Sequence, residues 1–254
     1  PFTYVATTSS IVWEGCKPVF VDIDPESLNI DSTKIEAAIT DKTTAIIATH
    51  VYGNPCDVTG FDKLRENNNR QIIYDAAHSF GIKVKENSVL NYGDASTLSF
   101  HATKIFHTIE GGAIVFKKKE NLEKAKCLIN FGINNKNIID IGINAKMSEY
   151  NAAVGLVNLE IIDDIIEKRS MLFDKYRTSL KDYVELPEWH EDSSFNGAYM
   201  PIKLRSNAEA DCLVEYLSKN KIDCNLEKKT KTYYRIEIKL NKGFFNINTN
   251  TSYQ

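Results

Sequence analysis

An α/β fold with a mostly parallel central sheet is predicted by three observations. Short β-branched apolar runs at residues 18–23, 44–48 and 71–75 have the composition of strands buried on both faces. Segments with helical patterns separate these runs, and this alternation favours parallel pairing. The chain has 254 residues, of which 43% are apolar, so it is long enough to bury such a sheet.

The first half of the chain supplies the elements of this sheet in order. After the predicted strand at 18–23, Asp31, Ser32 or Thr33 caps a helix, and Thr33 has capping-box spacing to Glu36. A second helix is predicted at 61–68. The later predicted strands are 44–48, 71–75, 95–99 and 112–116.

The second half opens with one long helical pattern from residue 148 to about 181. A helix of this length is too long for a simple crossover, so it predicts a boundary between two domains. We expect a large domain over residues 1–160 and a small C-terminal α/β domain over 161–254, with a strand at 197–204 and a helix at 208–218. Residues 226–254 are atypical of the rest and rich in Lys, Asn and Thr.

Charge and composition exclude several classes of protein. The 31 basic and 34 acidic side chains leave a net charge of −3, which argues against a nucleic-acid scaffold. No run of about eighteen apolar residues is present, as a membrane-spanning helix would require. The five cysteines are widely spaced without a C-x-x-C pair, and the five histidines lack metal-ligand spacing. We therefore expect a cytoplasmic protein without a metal, a membrane segment or a nucleic-acid partner.

Two motifs follow predicted strands and carry reactive side chains. Asp75 and His78 come after the strand at 71–75, where a carboxylate faces the crevice in which α/β proteins bind ligands. Ser99 and Lys104 come after the strand at 95–99, and a partly desolvated lysine at such a place can form a Schiff base. On spacing alone, Asp75 could instead cap a helix, and Lys104 could be a solvated surface lysine.

A third motif is the loop at 142–149, in which Asn144 precedes the long helix. Asn144 could simply form the turn. The glycine fingerprint of dinucleotide-binding proteins, the P-loop and the H-E-x-x-H zinc motif are all absent from the sequence. A dinucleotide-binding α/β protein is thus a weaker alternative.

The order of the motifs is more specific than any one of them. They lie at 2–7, 18–24, 50–55, 75–78, 99–104, 110–112 and 144–149. In this order the sequence resembles the DegT/DnrJ/EryC1/StrS family of nucleotide-sugar aminotransferases. The resemblance implies an aspartate-aminotransferase-like fold (fold type I), with pyridoxal 5'-phosphate (PLP) as the cofactor. The amino-acid sequence at 100–104 is most similar to that of enzymes that aminate a dTDP-4-keto-6-deoxyhexose at C4.

The resemblance also implies roles for single residues. Lys104 matches the Schiff-base lysine that moves the proton, and Asp75 matches the carboxylate that pairs with the pyridine nitrogen. His78 lies where the family places a side chain against the phenolic oxygen of the cofactor. The resemblance makes Lys104 and Asp75 the catalytic pair. A related branch that removes a sugar hydroxyl has His at the lysine position, and Lys104 argues against that chemistry.

Three further residues match cofactor-binding positions. Tyr4 corresponds to the aromatic residue that stacks on the pyridine ring, and Ser99 to a ligand of the phosphate. Asn144 corresponds to a residue that reaches the phosphate from the neighbouring subunit, so the resemblance implies a homodimer with shared active sites. The implied reaction moves an amino group from glutamate to a nucleotide-linked keto-deoxy sugar, for amino-sugar and surface-polysaccharide biosynthesis.

Two departures from the family pattern bear on this expectation. The family has a Gly-Thr or Gly-Ser turn for the cofactor phosphate before the position of Pro1, and the sequence lacks that segment. Residues 226–254 do not match the family's substrate-contacting region. We therefore expect an N-terminally incomplete large domain, and a catalytically impaired fragment or a non-catalytic homologue is the alternative.

Overall fold

The computed structural model describes residues 1–222, 224–227 and 234–238. The helices are α1 (Val5–Trp13), α2 (Ser32–Ile35), α3 (Val58–Asn68), α4 (Lys119–Leu128), α5 (Glu149–Leu159), α6 (Ile162–Leu180) and α7 (Asn207–Lys219). The strands are β1 (Ala45–Thr49), β2 (Gln71–Asp75), β3 (Lys83–Val84), β4 (Asn87–Ser88), β5 (Ala95–Ser99), β6 (Gly112–Phe116), β7 (Ile133–Asn134), β8 (Asn137–Ile138), β9 (Met200–Leu204), β10 (Cys224–Glu227) and β11 (Tyr234–Ile238). Single 3₁₀ turns lie at Glu36–Ala38, Val51–Gly53 and Val89–Asn91.

The central sheet has the strand order β1-β2-β5-β6. The strands β1, β2 and β5 are parallel, and β6 pairs antiparallel with β5 at one side. In this register Asp75 lies opposite Thr49 on one side and Thr97 on the other. The carboxyl ends of the three parallel strands therefore meet at one edge of the sheet, where ligands bind in open α/β folds.

The sheet is built on buried apolar side chains from β1, β2 and α3. Ile72 and Tyr74 of β2 and Phe61 of α3 are fully buried in one cluster. The α3 helix begins after Asp57, whose side chain caps it by accepting from the amide of Gly60. This packing fixes the place in the sheet at which β2 ends, and with it the position of Asp75.

Most of the predicted elements are confirmed. The expected strands at 44–48, 71–75, 95–99 and 112–116 correspond to β1, β2, β5 and β6, and the expected helix at 61–68 lies within α3. The expected strand at 197–204 is β9, and the expected helix at 208–218 is part of α7. Asp31 is the residue that caps α2, through a hydrogen bond from the amide of Thr33. The mostly parallel α/β class is thereby confirmed.

The predicted strand at 18–23 is wrong. Within this stretch Ile23 alone makes a β-bridge, with Ile30 in the antiparallel sense. The neighbouring backbone groups bond within the same loop, because the amide of Asp24 donates to Asn29 and that of Asp31 donates to Asp22. The β-branched composition of this run is overridden because the chain turns back on itself.

The single long helix predicted at 148–181 is also wrong in one respect. Its ends agree with the caps of the structure, but α5 ends at Leu159 and α6 begins at Ile162. Ile161 has φ −120° and ψ 0°, outside the helical range. This break turns Ile162 into a buried cluster with Ile105 and Phe106. The apolar Leu156 of α5 is exposed, whereas Ile162 and Phe173 of α6 are buried.

A second sheet has the order β10-β11-β9, with antiparallel pairing throughout. Met200 and Ile202 of β9 are buried with Phe173 of α6 and Leu217 of α7. The division into domains at residue 160 stays a prediction. Of the atypical segment 226–254, residues 228–233 and 239–254 lie outside the described residues.

None of the helices among the described residues combines the length and apolarity that crossing a membrane requires. Within residues 1–222, 224–227 and 234–238, no group of three or more His, Cys, Asp and Glu side chains forms a candidate metal centre.

Candidate active site

Asp75 is held at the end of β2 by hydrogen bonds to both carboxylate oxygens. The hydroxyl of Thr7 donates to Oδ2 over 2.6 Å, and the amide of Ala77 donates to Oδ1 over 3.2 Å. The backbone carbonyl of Asp75 also accepts from the amide of His50. Donors on both oxygens fix the orientation of the carboxylate.

Lys104 and His78 meet at the same edge of the sheet. Nζ of Lys104 lies 2.8 Å from Nε2 of His78, and both side chains are partly buried. An ammonium group has only donors, so opposite a charged Lys104 the ring of His78 accepts at Nε2 and carries its proton on Nδ1. The two motifs recognised in the sequence are thus brought together by a direct contact.

The imidazole of His78 stays neutral in this environment. Burial lowers the pKa of His78 to about 3, because an imidazolium loses its hydration there, and the charge of Lys104 adds to the effect. The ring of His78 also packs on Tyr199, with centroids 4.6 Å apart. A neutral ring beside Lys104 can accept a hydrogen bond from the amine and places no second positive charge next to it.

Aromatic packing joins the loop that carries His78 to the loop that carries Lys104. The rings of Phe80 and Phe106 stack with centroids 4.4 Å apart, and Phe100 meets Phe106 edge-on at 4.9 Å. Because Phe106 follows Lys104 by two residues, this stack holds the lysine loop against residues 78–80. The contact between Lys104 and His78 therefore rests on a buried apolar support.

Asn196 holds the same loop from the other side. Its Nδ2 donates to the carbonyl oxygens of His78 and Phe80, each over 2.9 Å, and its Oδ1 accepts from the amide of Ala198. Asn196 is 1% exposed, so these carbonyls would otherwise be buried without that donor. The backbone that positions His78 is thereby tied to the segment that leads into β9.

The remaining predicted residues lie around this edge at different distances from it. Ser99 is the last residue of β5, and its Oγ accepts from the amide of His101 over 3.4 Å. Tyr4 is the N-cap of α1 and is 73% exposed. Asn144 lies in an exposed loop, paired by a β-bridge with Asn130. The structure brings Asp75, His78, Ser99 and Lys104 to one edge, and the roles of all six residues stay predictions.

Sequence reasoning missed several residues that support this site. Thr7, Asn196 and Tyr199 contact Asp75 or His78, but none of them was predicted. The helix α1 that carries Thr7 was not predicted either. Thr3 precedes α1, so no helical spacing in the sequence indicates that its hydroxyl meets that of Thr7. No local signal in the sequence points to Asn196.

The arrangement of sheet, carboxylate and amine defines the class of the protein. A lysine amine contacts a histidine ring at the carboxyl edge of a mostly parallel sheet, the edge at which Asp75 ends β2, and a short antiparallel sheet and helices follow in the chain. Residues 1–249 match the model of the DegT/DnrJ/EryC1/StrS aminotransferase family. The chain belongs to this family.

Two relatives illustrate the similarity in sequence. The chain is 48% identical over 229 residues to a dTDP-4-amino-4,6-dideoxy-D-glucose transaminase of Shigella dysenteriae. It is 39% identical over 228 residues to an Escherichia coli protein of the same description. Each comparison covers 87% of this chain and 62% of the relative, so the chain spans less than two thirds of their length. Because both relatives are named as transaminases, the similarity to them does not favour the non-catalytic alternative or a dinucleotide-binding protein.

Solved structures support the same fold. The crystal structure of DesI, determined in the presence of its TDP-sugar product, superposes with a TM-score of 0.83 at 27% identity. The match covers 93% of this chain and 67% of DesI. A family aminotransferase from Brucella abortus superposes with a TM-score of 0.84 at 28% identity, over 90% of this chain and 63% of that one. The fold type I aminotransferase architecture is thereby confirmed.

The side chains at the sheet edge fit the cofactor that the family implies. Pyridoxal phosphate needs an amine for its aldehyde, an anion for its protonated ring nitrogen and donors for its phosphate. The amine of Lys104 and the doubly hydrogen-bonded carboxylate of Asp75 meet the first two needs. The hydroxyl of Ser99 at the end of β5 is a donor of the third kind.

Proposed function

We propose that this chain forms part of a PLP-dependent aminotransferase that transfers an amino group from glutamate to a nucleotide-linked keto-deoxy sugar. The observation that carries the proposal is the 2.8 Å contact between Lys104 and His78 at the edge where Asp75 ends β2. Family membership and the named sugar transaminases among its relatives support the reaction class.

Each residue at this edge of the sheet would have its own role in the reaction. The bound cofactor supplies a carbonyl that takes up the amino group and a ring that stores an electron pair. Asp75 would hold its negative charge against the protonated ring nitrogen. Lys104 would anchor the cofactor and carry a proton between the reacting carbon atoms. His78, which is neutral, would orient the amine of Lys104, while Tyr4 and Ser99 would hold the ring and the phosphate.

For the acceptor, we propose a dTDP-4-keto-6-deoxyhexose that is aminated at C4. The relatives that are named as dTDP-4-amino-4,6-dideoxy-D-glucose transaminases support this choice. The product would enter amino-sugar and surface-polysaccharide synthesis in the cytoplasm, a reducing compartment that suits widely spaced cysteines.

A homodimer is part of the same proposal. Large apolar side chains are exposed on α1, on the hairpin of β7 and β8 with the loop after it, and on α5, as shown by Trp13 at 88%, Ile138 at 80%, Ile141 at 92% and Tyr150 at 88%. A large exposed apolar area is typical of an interface. Asn144 lies between Ile141 and Tyr150 in the chain, so a second copy covering this surface would receive it near its own site.

Cofactor binding is tested first, with the purified chain and pyridoxal phosphate. We expect a visible absorbance band from covalently held cofactor, which Lys104→Ala loses and Lys117→Ala keeps, because Lys117 is exposed and follows β6. A wild-type chain that shows no band at saturating cofactor would be the catalytically impaired alternative.

The substrate is tested by mass spectrometry with ¹⁵N-glutamate and a panel of dTDP-keto sugars. We expect the label in a product whose carbonyl oxygen at C4 is replaced by an amino group. Label found only in a small amino acid made from a keto acid would contradict the sugar assignment. Label at C3 would contradict the assignment of the position alone.

Shared sites are tested by mixing two inactive variants, Lys104→Ala and Asn144→Ala. In a mixed dimer one site has both defects, whereas the other combines an intact Lys104 with an intact Asn144 from the opposite subunit. Random mixing should therefore restore about a quarter of the wild-type sites. No recovery in a proven mixed dimer would place Asn144 outside the partner's site.

A further inference from the structure

Three threonine hydroxyls, those of Thr49, Thr3 and Thr7, form a hydrogen-bonded relay that ends on the carboxylate of Asp75. Oγ1 of Thr49 lies 2.9 Å from Oγ1 of Thr3, which lies 2.7 Å from Oγ1 of Thr7. Oγ1 of Thr7 lies 2.6 Å from Oδ2 of Asp75. The four residues come from three separate parts of the chain, namely the N-terminal segment with α1, the end of β1 and the end of β2.

The direction of the hydrogen bonds in this relay follows from counting the hydroxyl protons. A carboxylate only accepts, so Thr7 must donate its single hydroxyl proton to Asp75. Thr7 can then only accept from Thr3, and Thr3, having used its own proton, can only accept from Thr49. All three protons therefore point towards Asp75.

Aligned hydroxyls polarise one another, so the terminal donor is stronger than an isolated threonine. Thr7 is 9% exposed, which keeps water from replacing its hydroxyl easily. The other carboxylate oxygen accepts from the amide of Ala77, so the relay and the backbone hold the carboxylate from both sides. One arrangement of Asp75 is thereby favoured before any ligand arrives.

We infer that Thr7, supported by Thr3 and Thr49, is a positioning residue that holds Asp75 as an oriented anion for a cationic ring nitrogen. This inference rests on the proposed function, because the ring nitrogen belongs to the cofactor. Thr7 does not touch the reacting atoms in this arrangement, and it acts through Asp75. The same relay also links the first turn of α1 to the catalytic edge of the sheet.

The test compares two cofactors on four forms of the full chain: wild type, Thr7→Val, Thr7→Ser and Thr49→Val. Thr7→Val removes the donor and keeps the shape, whereas Thr7→Ser keeps the hydroxyl. The cofactors are pyridoxal phosphate and its 1-deaza analogue, in which a C–H group replaces the ring nitrogen. The measurement is the dissociation constant, from an absorbance titration.

We expect Thr7→Val to bind pyridoxal phosphate about 10- to 100-fold more weakly, as for the loss of a hydrogen bond to a charged group. Thr7→Ser should restore the affinity, and Thr49→Val should lose less because two donors of the relay remain. The deaza analogue should bind all four forms equally. An equal loss for both cofactors would show a merely structural role and overturn the inference, as would no loss with either.

A measurement without cofactor separates this inference from the proposed function. In the cofactor-free chain at neutral pH, the ¹³C signal of the Asp75 carboxyl should move in Thr7→Val and stay in place in Thr7→Ser. An unmoved signal in Thr7→Val overturns the relay even where the wild type binds pyridoxal phosphate. Failure of the wild type to bind the cofactor, with the signal moving as expected, would overturn the proposed function and with it the cofactor role of the relay. If Thr7→Val does not fold, Thr49→Val decides, and an unchanged carboxyl signal and affinity there overturn the inference.

Discussion

Lys104 and His78 form a direct contact of 2.8 Å between Nζ and Nε2, although they are 26 positions apart in the sequence. Each residue follows a different strand of the parallel sheet, and the stack of Phe80 on Phe106 presses the two loops together. The contact couples a neutral imidazole to an amine at the edge of the sheet where Asp75 ends β2.

The first prediction concerns the pH dependence of stability. His78 has a pKa of about 3 in the folded chain, below the ordinary 6.5, because burial and then Lys104 disfavour its charged form. Between these values the unfolded chain binds a proton that the folded chain does not. The contribution of His78 to the free energy of unfolding should thus be fully present above pH 6.5 and should be lost progressively as the pH drops towards 3.

Replacing His78 by Gln removes this titrating group while keeping a polar side chain. The slope of unfolding free energy against pH in that window should become shallower, by up to about 1.4 kcal/mol per pH unit. Urea unfolding at a series of pH values measures it. His50, whose burial also lowers its pKa to about 3, should keep part of the slope in the variant. Identical slopes for wild type and His78→Gln would refute the assignment.

The second prediction concerns the clamp made by Asn196. Asn196→Ala removes the donor to the buried carbonyls of His78 and Phe80, which should cost about 1–3 kcal/mol of unfolding free energy. Asn220→Ala is the matched control, because its Nδ2 also donates to a carbonyl, that of Tyr216, but at an exposed helix end. We expect a change within about 0.5 kcal/mol there. Equal losses in urea unfolding would mean that burial of the clamp is unimportant.

The third prediction concerns Lys203, a buried lysine on β9 that is 2% exposed. Its Nζ is paired with the carboxylates of Glu185 and Glu26, and it donates to the carbonyl of Pro25 over 3.2 Å. The two carboxylates are much more exposed than the amine, at 39% and 53%. Losing the lysine would therefore leave solvated anions, whereas losing the glutamates would leave a buried cation.

We expect Glu26→Gln combined with Glu185→Gln to lower the unfolding free energy by about 3–5 kcal/mol. Lys203→Met, which keeps an apolar chain of similar length, should lower it by less, about 0–2 kcal/mol. Thermal and urea unfolding of the three forms measure the order. The reverse order would show that the pairing does not compensate a buried charge.

The fourth prediction concerns Gly53, which lies in the turn before the site with φ +86°. A Cβ there would lie 2.8 Å from the carbonyl oxygen of His78, closer than real Cβ contacts allow. Gly15 has a similar φ of +70° but open space around it, so Gly15→Ala reports the backbone strain alone, about 1–2 kcal/mol. Gly53→Ala should cost clearly more in urea unfolding. A loss no greater than that of Gly15→Ala would argue against the close approach to His78.

Sequence patterns predicted the elements whose burial is local. The strands β1, β2 and β5 are continuous β-branched or small-residue runs, and the helices α3 and α7 have caps and apolar periodicity that can be recognised within one segment. The run at 18–23 has the same composition and yet forms no strand, because its backbone partners come from the loop that follows. The break at Ile161 was missed since exposed and buried apolar residues look alike in a periodic pattern.

The sequence by itself determined the α/β class, the order of the motifs and the family to which they belong, because these depend on residue types and their spacing. Only the tertiary structure decided that Lys104 meets His78 and that Asn196 holds the loop at residues 78–80. It also decided that the hydroxyls of Thr49, Thr3 and Thr7 form a line of hydrogen bonds that ends on Asp75. Such contacts join side chains from separate segments. Their distances depend on strand register and on the packing of Phe80 against Phe106, and neither of these is encoded in any local pattern.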